Sequence, residues 1–438
     1  MKLNELKDKR ILILGFGKEG KDTLRFLRKL FPEKIFGVGD SNKNIKSDTK
    51  KVRWHLGKNY LKFLKNYNTI IKSPGIPIHL PEIKKAFKEG KITSQTEIFF
   101  DNCSGKIIGV TGTKGKGTTS LLIYKILKEG GIKVHLVGNI GKPALSFLHQ
   151  IKPDDFIIYE LSSHQLYKIK KSPQIAVLLN IYPAHLDYFK NFKEYINSKF
   201  NITRYQRKND YLIYNSEDKI VFNISKRSKA RLIKIPKMNF DRIKTSLIGD
   251  FNFFNISTAI TIAKIFGIKN EIIAKVVKNF RNQPHRLEYL GKFKEMEFYD
   301  DSASTIPEST IGAIKALKKN LQTIILGGFE NNVSFKKLAQ EIIKSKIKNL
   351  IFFPTTGKKI WKRILQIKKN RIFNSFFVNN MAEAVKIAYS QTKKGEICLL
   401  SPSSQSFNLF TDYKERGNLF KKYVKNFSKI KNGKKRLS

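Results

Sequence analysis

The feature that most constrains this chain is an apolar run that breaks into glycines and resumes with helical spacing. Lys106-Ile-Ile-Gly-Val110 reads as a buried strand, Gly112-Thr113-Lys114-Gly115-Lys116-Gly117-Thr118-Thr119 follows it, and Thr119 to Lys128 has the periodicity of a helix. Strand, glycine turn and helix in that order make a phosphate cradle. Backbone N–H groups of the turn and of the helix N-terminus can surround the phosphates, while Lys116 reaches the transferred group. The segment therefore reads as a nucleotide site. A glycine turn with an incidental lysine would not explain the strand before it and the helix after it.

The same pattern opens two further regions. Near the start, Arg10 to Leu14 reads as a strand, Gly15-Phe16-Gly17-Lys18-Glu19-Gly20 as a turn, and the stretch through Leu30 as an amphipathic helix. A second strand, Ile35 to Val38, runs to Asp40-Ser41, and a third, Thr69 to Ile71, runs to Ser73-Pro74-Gly75. Glycines spaced G-x-G-x-x-G with an acidic residue about twenty positions on match the dinucleotide fingerprint. Taken alone this would suggest an NAD-dependent dehydrogenase, but the same geometry holds any diphosphate, a nucleotide-sugar included. Central strands are expected at Val134 to Val137, Phe156 to Tyr159 and Ile175 to Leu179. After Pro284-His285-Arg286 a third α/β region has strands at Thr323 to Leu326, Leu350 to Phe353 and Ile397 to Leu400. The expected fold class is α/β in three domains: a Rossmann-like domain at 1–103, a P-loop ATPase-type parallel sheet at 104–283 and a second Rossmann-like domain at 284–438.

Composition sets the outer bounds. A chain of 438 residues, 41% of them hydrophobic, can bury more than one core. Cys103 and Cys398 are its only cysteines, so neither a disulfide framework nor a cysteine metal cage can form, which fits a reducing compartment. Met1 to Arg10 has no secretory apolar core, and no stretch reaches the roughly 18 apolar residues that span a bilayer. The expectation is a soluble, cytoplasmic monomer. Eighty-five Lys and Arg against 35 Asp and Glu leave a net charge of +50, which attracts polyanions and keeps a nucleic-acid binder in view. The basic residues run along the whole chain instead of forming one stripe, however. The abundance of Lys, Ile, Asn and Phe fits compositional drift of an AT-rich genome, and the field also favours anionic nucleotide substrates.

Two more residues stand at strand ends. Glu160, in Tyr159-Glu160-Leu-Ser162-Ser163-His-Gln165, ends a strand beside the cradle, where a magnesium ligand belongs. His185, in Asn180-Ile-Tyr-Pro-Ala-His185-Leu-Asp187, lies just past another, where a histidine is more often structural than a ligand.

Taken in order, Gly-Thr-x-Gly-Lys, Glu-Leu-Ser-Ser-x-Gln-Leu, Asn-x4-His-Leu-Asp, His285-Arg286-x-Glu288 and Asp301-Ser302 resemble the motif series of the Mur ligases. Ser73-Pro74-Gly75-Ile76-Pro77, Leu400-Ser-Pro402, Ser406-Phe407 and Arg416-Gly417 look like the branch that adds D-glutamate to UDP-N-acetylmuramoyl-L-alanine. The resemblance runs from about residue 10 to about residue 425. It implies an ATP-dependent, ADP-forming carboxylate–amine ligase of peptidoglycan precursor synthesis, using ATP and two Mg2+ ions and working through an acyl phosphate.

By match of motif, Lys116, His185 and Lys199 would be catalytic, with Lys199 carried as a carbamate, and Thr118, Glu160, His185 and Lys199 would serve metal. ATP would be held by Gly112 to Thr118, Asn252, Asn255, Arg286 and Asp301. The UDP substrate would meet Gly15, Phe16, Gly17, Lys18, Asp40, Ser41, Ser73, Pro74 and Gly75, with Asn139, Ser162, Ser163 and Gln165 nearer its reacting end. Thr305, Asn331, Ser406, Phe407 and Tyr413 match the amino-acid pocket.

The chain also departs from the family pattern. Gly117 stands where the family usually has Ser or Thr, so Thr118 is expected to supply the hydroxyl, an arrangement that looks like folylpolyglutamate synthase. Phe251 replaces a frequent histidine, while Ala303 and Asn331 stand where cations are common, which bears on the choice of D-glutamate. A folylpolyglutamate-synthase-like ligase leaves the N-terminal domain and Ser73 to Pro77 unexplained. The non-enzyme alternative is a silent relative that holds nucleotides or polyanions.

Overall fold

The computed structural model describes residues 1–45, 50–238, 243, 245–330, 333–368 and 373–429. Three sheets account for its strands, and each grows from short runs of β-branched and aliphatic residues. The first contains β1 (Ile11–Leu14), β2 (Phe36–Asp40), β3 (Val52–Leu56), β4 (Thr69–Lys72) and β5 (Ile92–Thr93), in the order β3-β2-β1-β4-β5 with every pair parallel. β1 and β4 are buried along their whole length, as expected of parallel strands covered on both faces.

The second sheet contains β6 (Lys106–Thr111), β7 (Val134–Gly138), β8 (Phe156–Glu160), β9 (Ile175–Leu178), β10 (Tyr211–Tyr214) and β11 (Arg231–Lys234). Its order is β11-β10-β9-β6-β8-β7, again all parallel. The third contains β12 (Glu288–Phe293), β13 (Met296–Asp300), β14 (Leu321–Gly327), β15 (Asn349–Phe353), β16 (Asn374–Phe377) and β17 (Ile397–Leu400), in the order β12-β13-β17-β14-β15-β16. Only the β12–β13 pair in it is antiparallel. The chain is thus an α/β protein built on three parallel sheets.

In such sheets ligands meet the carboxyl ends of strands where the strand order reverses. The reversal falls between β1 and β4 in the first sheet and between β6 and β9 in the second. The glycine turn at 15–20 and Ser73 to Gly75 flank the first of these points, and the cradle at 112–117 and Leu179-Asn180 flank the second.

The chain packs as two compact units. One comprises 1–181, 188–238 and 255–277 and holds the first two sheets; the other comprises 182–187, 239–254 and 278–438 and holds the third. Segments 182–187 and 239–254, which fall inside the central region by sequence, group with the third sheet. Within the first unit the two sheets are tied through Asp22 on the helix Lys18–Leu30. Its buried carboxylate accepts from Gln95 Nε2 (2.9 Å), from the Leu145 N–H (3.2 Å) and from Ser146 Oγ. Among the described residues no helix is long and apolar enough to cross a membrane.

Candidate functional site

The helix Lys116–Glu129 starts on Gly115, whose φ of +85° lies in the left-handed region open to glycine. A Cβ at Gly115 would also stand 2.3 Å from Asn255 Oδ1, so the turn is closed to side chains on two counts. Asn255 is buried beneath it and accepts from Thr119 Oγ1 (3.1 Å). The other side of the loop is clamped by Asn180. Its Oδ1 accepts the Lys114 N–H (2.8 Å), its Nδ2 donates to Lys114 O (3.1 Å), and its carbonyl accepts the Thr113 N–H (2.8 Å). In sequence Asn180 stands just past a strand and opens Asn-x4-His-Leu-Asp, with no role of its own. Its position at the reversal of the second sheet is what turns its amide into a clamp.

Lys116 Nζ donates to Gly112 O (3.0 Å) and Thr113 O (3.2 Å). A second ammonium uses the same carbonyl, because Lys199 on the helix Phe192–Arg204 donates to Gly112 O (2.8 Å) and Thr111 Oγ1 (3.3 Å). Lys199 is 1% exposed, and burial first, then the nearby Lys116 charge, holds its pKa well below the ordinary lysine value, with Glu160 opposing them. Glu160 ends β8, 6% exposed, and pairs in register with Val110 of β6. Tyr195, one helical turn before Lys199, shares a hydroxyl hydrogen bond with Thr113 (2.8 Å). Lys116, Glu160, Lys199 and the buried Thr118 therefore lie around the cradle. His185 belongs to the other unit, where it is exposed with φ +56°.

At the first sheet, Gly15 has φ +91° and its carbonyl accepts Ser73 Oγ (2.8 Å), which joins the two loops at the reversal point. Asp40 serves this backbone too: Oδ2 accepts the Phe16 N–H (2.7 Å) and Oδ1 the Asn42 N–H (2.8 Å). Phe16, Gly17 and Asp40 line an open cleft of about 380 Å³, while Lys18, Ser41 and Gly75 are exposed beside these loops. Pro74 is half-buried.

Ser162 and Gln165 form a capping box, in which Ser162 Oγ accepts the Gln165 N–H and Gln165 Oε1 accepts the Ser162 N–H. Gln165 Nε2 then donates to Glu19 Oε1 (2.7 Å), so this side chain joins the two sheets of the unit. Ser163 is buried and Asn139 exposed. Sequence reasoning missed the charged groups nearby. Burial raises the Glu19 pKa to about 7, and burial lowers that of Lys72, which donates to Ser73 O and Ile76 O (both 2.9 Å), to about 8. His164 is pushed down to about 4 by burial and then by Lys199, Lys72 and Lys116.

In the second unit the loops after β13 and β17 carry Thr305 and Ser406, with Phe407 64% exposed at the edge. Asp301 is committed inside these loops, its Oδ1 accepting the Leu287 N–H (3.1 Å) and its Oδ2 accepting Ser304 Oγ (2.5 Å) and Ser401 Oγ (2.8 Å). Ser302 Oγ donates to Tyr413 O (2.8 Å), and Arg286 Nε donates to Gln283 Oε1 (3.1 Å). Asn252 Nδ2 bonds Ile248 O (2.9 Å), and Phe251 packs edge-on to Tyr182. Asn331 lies outside the described residues.

Three parallel sheets with a lysine-bearing phosphate cradle and a second, buried lysine against it define the class: an α/β protein with a P-loop central sheet. Comparison with known proteins narrows it. Residues 110–242 match the Mur ligase middle domain, and residues 9–93 match the Mur ligase MurD-like N-terminal domain. The UDP-N-acetylmuramoylalanine–D-glutamate ligase of Clostridium tetani is 33% identical, the match covering 97% of this chain and 99% of that protein. Its namesake from Acetivibrio thermocellus is 32% identical over 97% and 98%. Among solved structures, the MurF ligase of Thermotoga maritima in complex with ADP shares the fold with a TM-score of 0.61 at 18% identity, covering 97% of this chain and 98% of that one. The chain belongs to the Mur ligase family.

Proposed function

We propose that this chain is an ADP-forming ligase that joins D-glutamate to UDP-N-acetylmuramoyl-L-alanine in peptidoglycan precursor synthesis. The observation that carries the reading is the buried Lys199 beside Lys116 and Glu160 at the phosphate cradle, in a chain that matches D-glutamate ligases over nearly its whole length. The MurD-like match at 9–93 supports a UDP-substrate role for the domain at 1–103. A folylpolyglutamate-synthase-like ligase leaves that match unexplained. ATP is assigned to the cradle of the central domain at 104–283, with Asn255 contributing. The amino acid is assigned to the domain at 284–438.

In this mechanism an oxygen of the L-alanyl carboxylate attacks the γ-phosphorus of ATP as the bond to the ADP oxygen breaks. The resulting acyl phosphate is attacked at its carbonyl carbon by the D-glutamate amine. The tetrahedral intermediate loses phosphate, and the amine proton leaves to solvent or base. Lys116 follows the charge that develops on the transferred group, so its effect is on the transition state.

The buried Glu160 carboxylate and Thr118 hydroxyl beside the cradle are hard oxygen donors that fit magnesium. A Lys199 carbamate is the further ligand proposed. Magnesium bound there supplies neutralisation of the phosphoryl oxygens.

The test measures phosphate release with ATP, magnesium, UDP-N-acetylmuramoyl-L-alanine and a panel of D- and L-amino acids. Release is expected only when both acceptor and D-glutamate are present, and Lys116→Ala should lower turnover by roughly 10³-fold. Equal release with a neutral amino acid would remove the D-glutamate assignment, and release that ignores the UDP substrate would remove the ligase.

A further inference from the structure

Arg416, on the helix Tyr413–Lys429, is a guanidinium with no exposed surface. It donates from Nε to Ser302 Oγ (3.0 Å), from Nη2 to Ser302 O (2.9 Å) and Ser404 O (3.1 Å), and from Nη1 to Gln405 O (3.2 Å). Every one of these acceptors is neutral. The nearest acids are turned to other work. Asp300 accepts from His285 Nδ1 (2.7 Å) and from the Ser302 N–H (2.9 Å), and Asp301 is taken up by Leu287, Ser304 and Ser401. Burial lowers the Arg416 pKa to about 9, with the charges of Asp300 and Asp301 opposing it, which leaves it charged at neutral pH. A buried cation with no hydrogen-bonded carboxylate is costly, and it acts most strongly on the peptides to which it donates.

What lies above it is the pair of loops after β13 and β17. Gln405 O accepts both the guanidinium and the Phe329 N–H (2.8 Å), so one face of the Gln405–Ser406 peptide is held by two donors, one of them cationic. A trans peptide points its N–H opposite to its C=O. The Ser406 N–H is therefore directed away from Arg416, and polarisation of the carbonyl makes it a stronger donor.

We propose that Arg416 is the positioning residue through which this enzyme accepts a dicarboxylic amino acid: it fixes the loops of Ser302 and Ser404 to Ser406 and strengthens the Ser406 N–H toward a substrate carboxylate. This rests on the assignment of the amino acid to these loops.

The test compares D-glutamate with D-glutamine and D-isoglutamine, each of which lacks one carboxylate, using the full-length enzyme and phosphate release. Arg416→Gln should raise the KM for D-glutamate by about tenfold or more, and lower the kcat/KM preference for D-glutamate over at least one amide by about tenfold, with the KM for ATP nearly unchanged. A purely structural role would lower all three substrates together and leave the ratios alone. Arg416→Lys keeps the charge and loses the fork, so it should retain the ratios within about threefold while the KM rises. If Arg416→Gln does not fold, the lysine variant decides, and loss of the ratios there overturns the proposal. Wild-type enzyme that uses D-glutamate while Arg416→Gln keeps its ratios overturns the role of Arg416 alone. Wild-type enzyme that ignores D-glutamate overturns the ligase reading beneath it.

Discussion

Lys199 has almost no water around it and a second ammonium sharing its carbonyl partner, Gly112 O. A lysine whose folded pKa is depressed binds its proton less tightly in the native state than in the unfolded one. The resulting penalty is full below the folded pKa and fades as pH rises toward the ordinary lysine value. The neutral amine is also the form that adds to carbon dioxide: an N–C bond forms, a proton goes to water, and an anionic carbamate replaces one of two crowded cations. Enzyme stripped of carbon dioxide should therefore lose activity, more so on the acid side, and recover it with bicarbonate. Lys199→Ala should fall by roughly 10²-fold or more in turnover, as expected for removal of one electrostatic stabiliser, with partial recovery on adding formate or acetate. An alanine variant that turns over normally would leave the carbamate without a role.

At the scale of elements, the cradle is held by a residue from a neighbouring strand end. Asn180 offers Lys114 both an acceptor and a donor, and its removal leaves two backbone groups to find other partners, at about 1–3 kcal/mol for each one left buried and unsatisfied. Asn180→Ala should weaken ATP binding by about tenfold or more, and Asn180→Asp, which keeps the acceptor, by less. UDP-substrate binding should be nearly unchanged in both; calorimetry with each ligand decides, and an alanine variant that binds ATP normally would reduce Asn180 to a loop residue. The same elements show what sequence can and cannot disclose. β1, β6 and β14 were legible because buried parallel strands are continuous apolar runs. β3 (Val-Arg-Trp-His-Leu) and β11 (Arg-Leu-Ile-Lys) are partly exposed edge strands that carry charge, and β12 holds Gly291 at an irregularity in its pairing, so neither length nor pattern marked them. Lys116, Glu160 and Lys199 came from motif. Asn180, Lys72, Glu19 and the reach of Arg416 depend on contacts between residues distant in sequence, which no local pattern encodes.

For the whole molecule the dominant quantity is the +50 charge, and its effect depends on how far each basic residue stands from a substrate anion. Surface lysines such as Lys51, Lys275 and Lys394 pair with acids and contribute little individually. Their sum is a diffuse field that salt screens over a Debye length of about 10 Å at 0.1 M. Arg416 and Lys199 are buried, and salt reaches them poorly. The two contributions can therefore be separated. Raising salt from about 0.05 to about 0.5 M should increase the KM of the UDP substrate and of D-glutamate severalfold, because steering of anions is lost, while kcat stays nearly constant and the preference for D-glutamate over the net-neutral D-glutamine falls by no more than that same factor. Steady-state kinetics across a salt series, with a neutral osmolyte as control, makes the measurement. A KM that ignores salt would place all the useful positive charge in the buried groups. A preference that collapses with salt would instead show that the surface field selects the dicarboxylate, leaving Arg416 only the task of holding its loops.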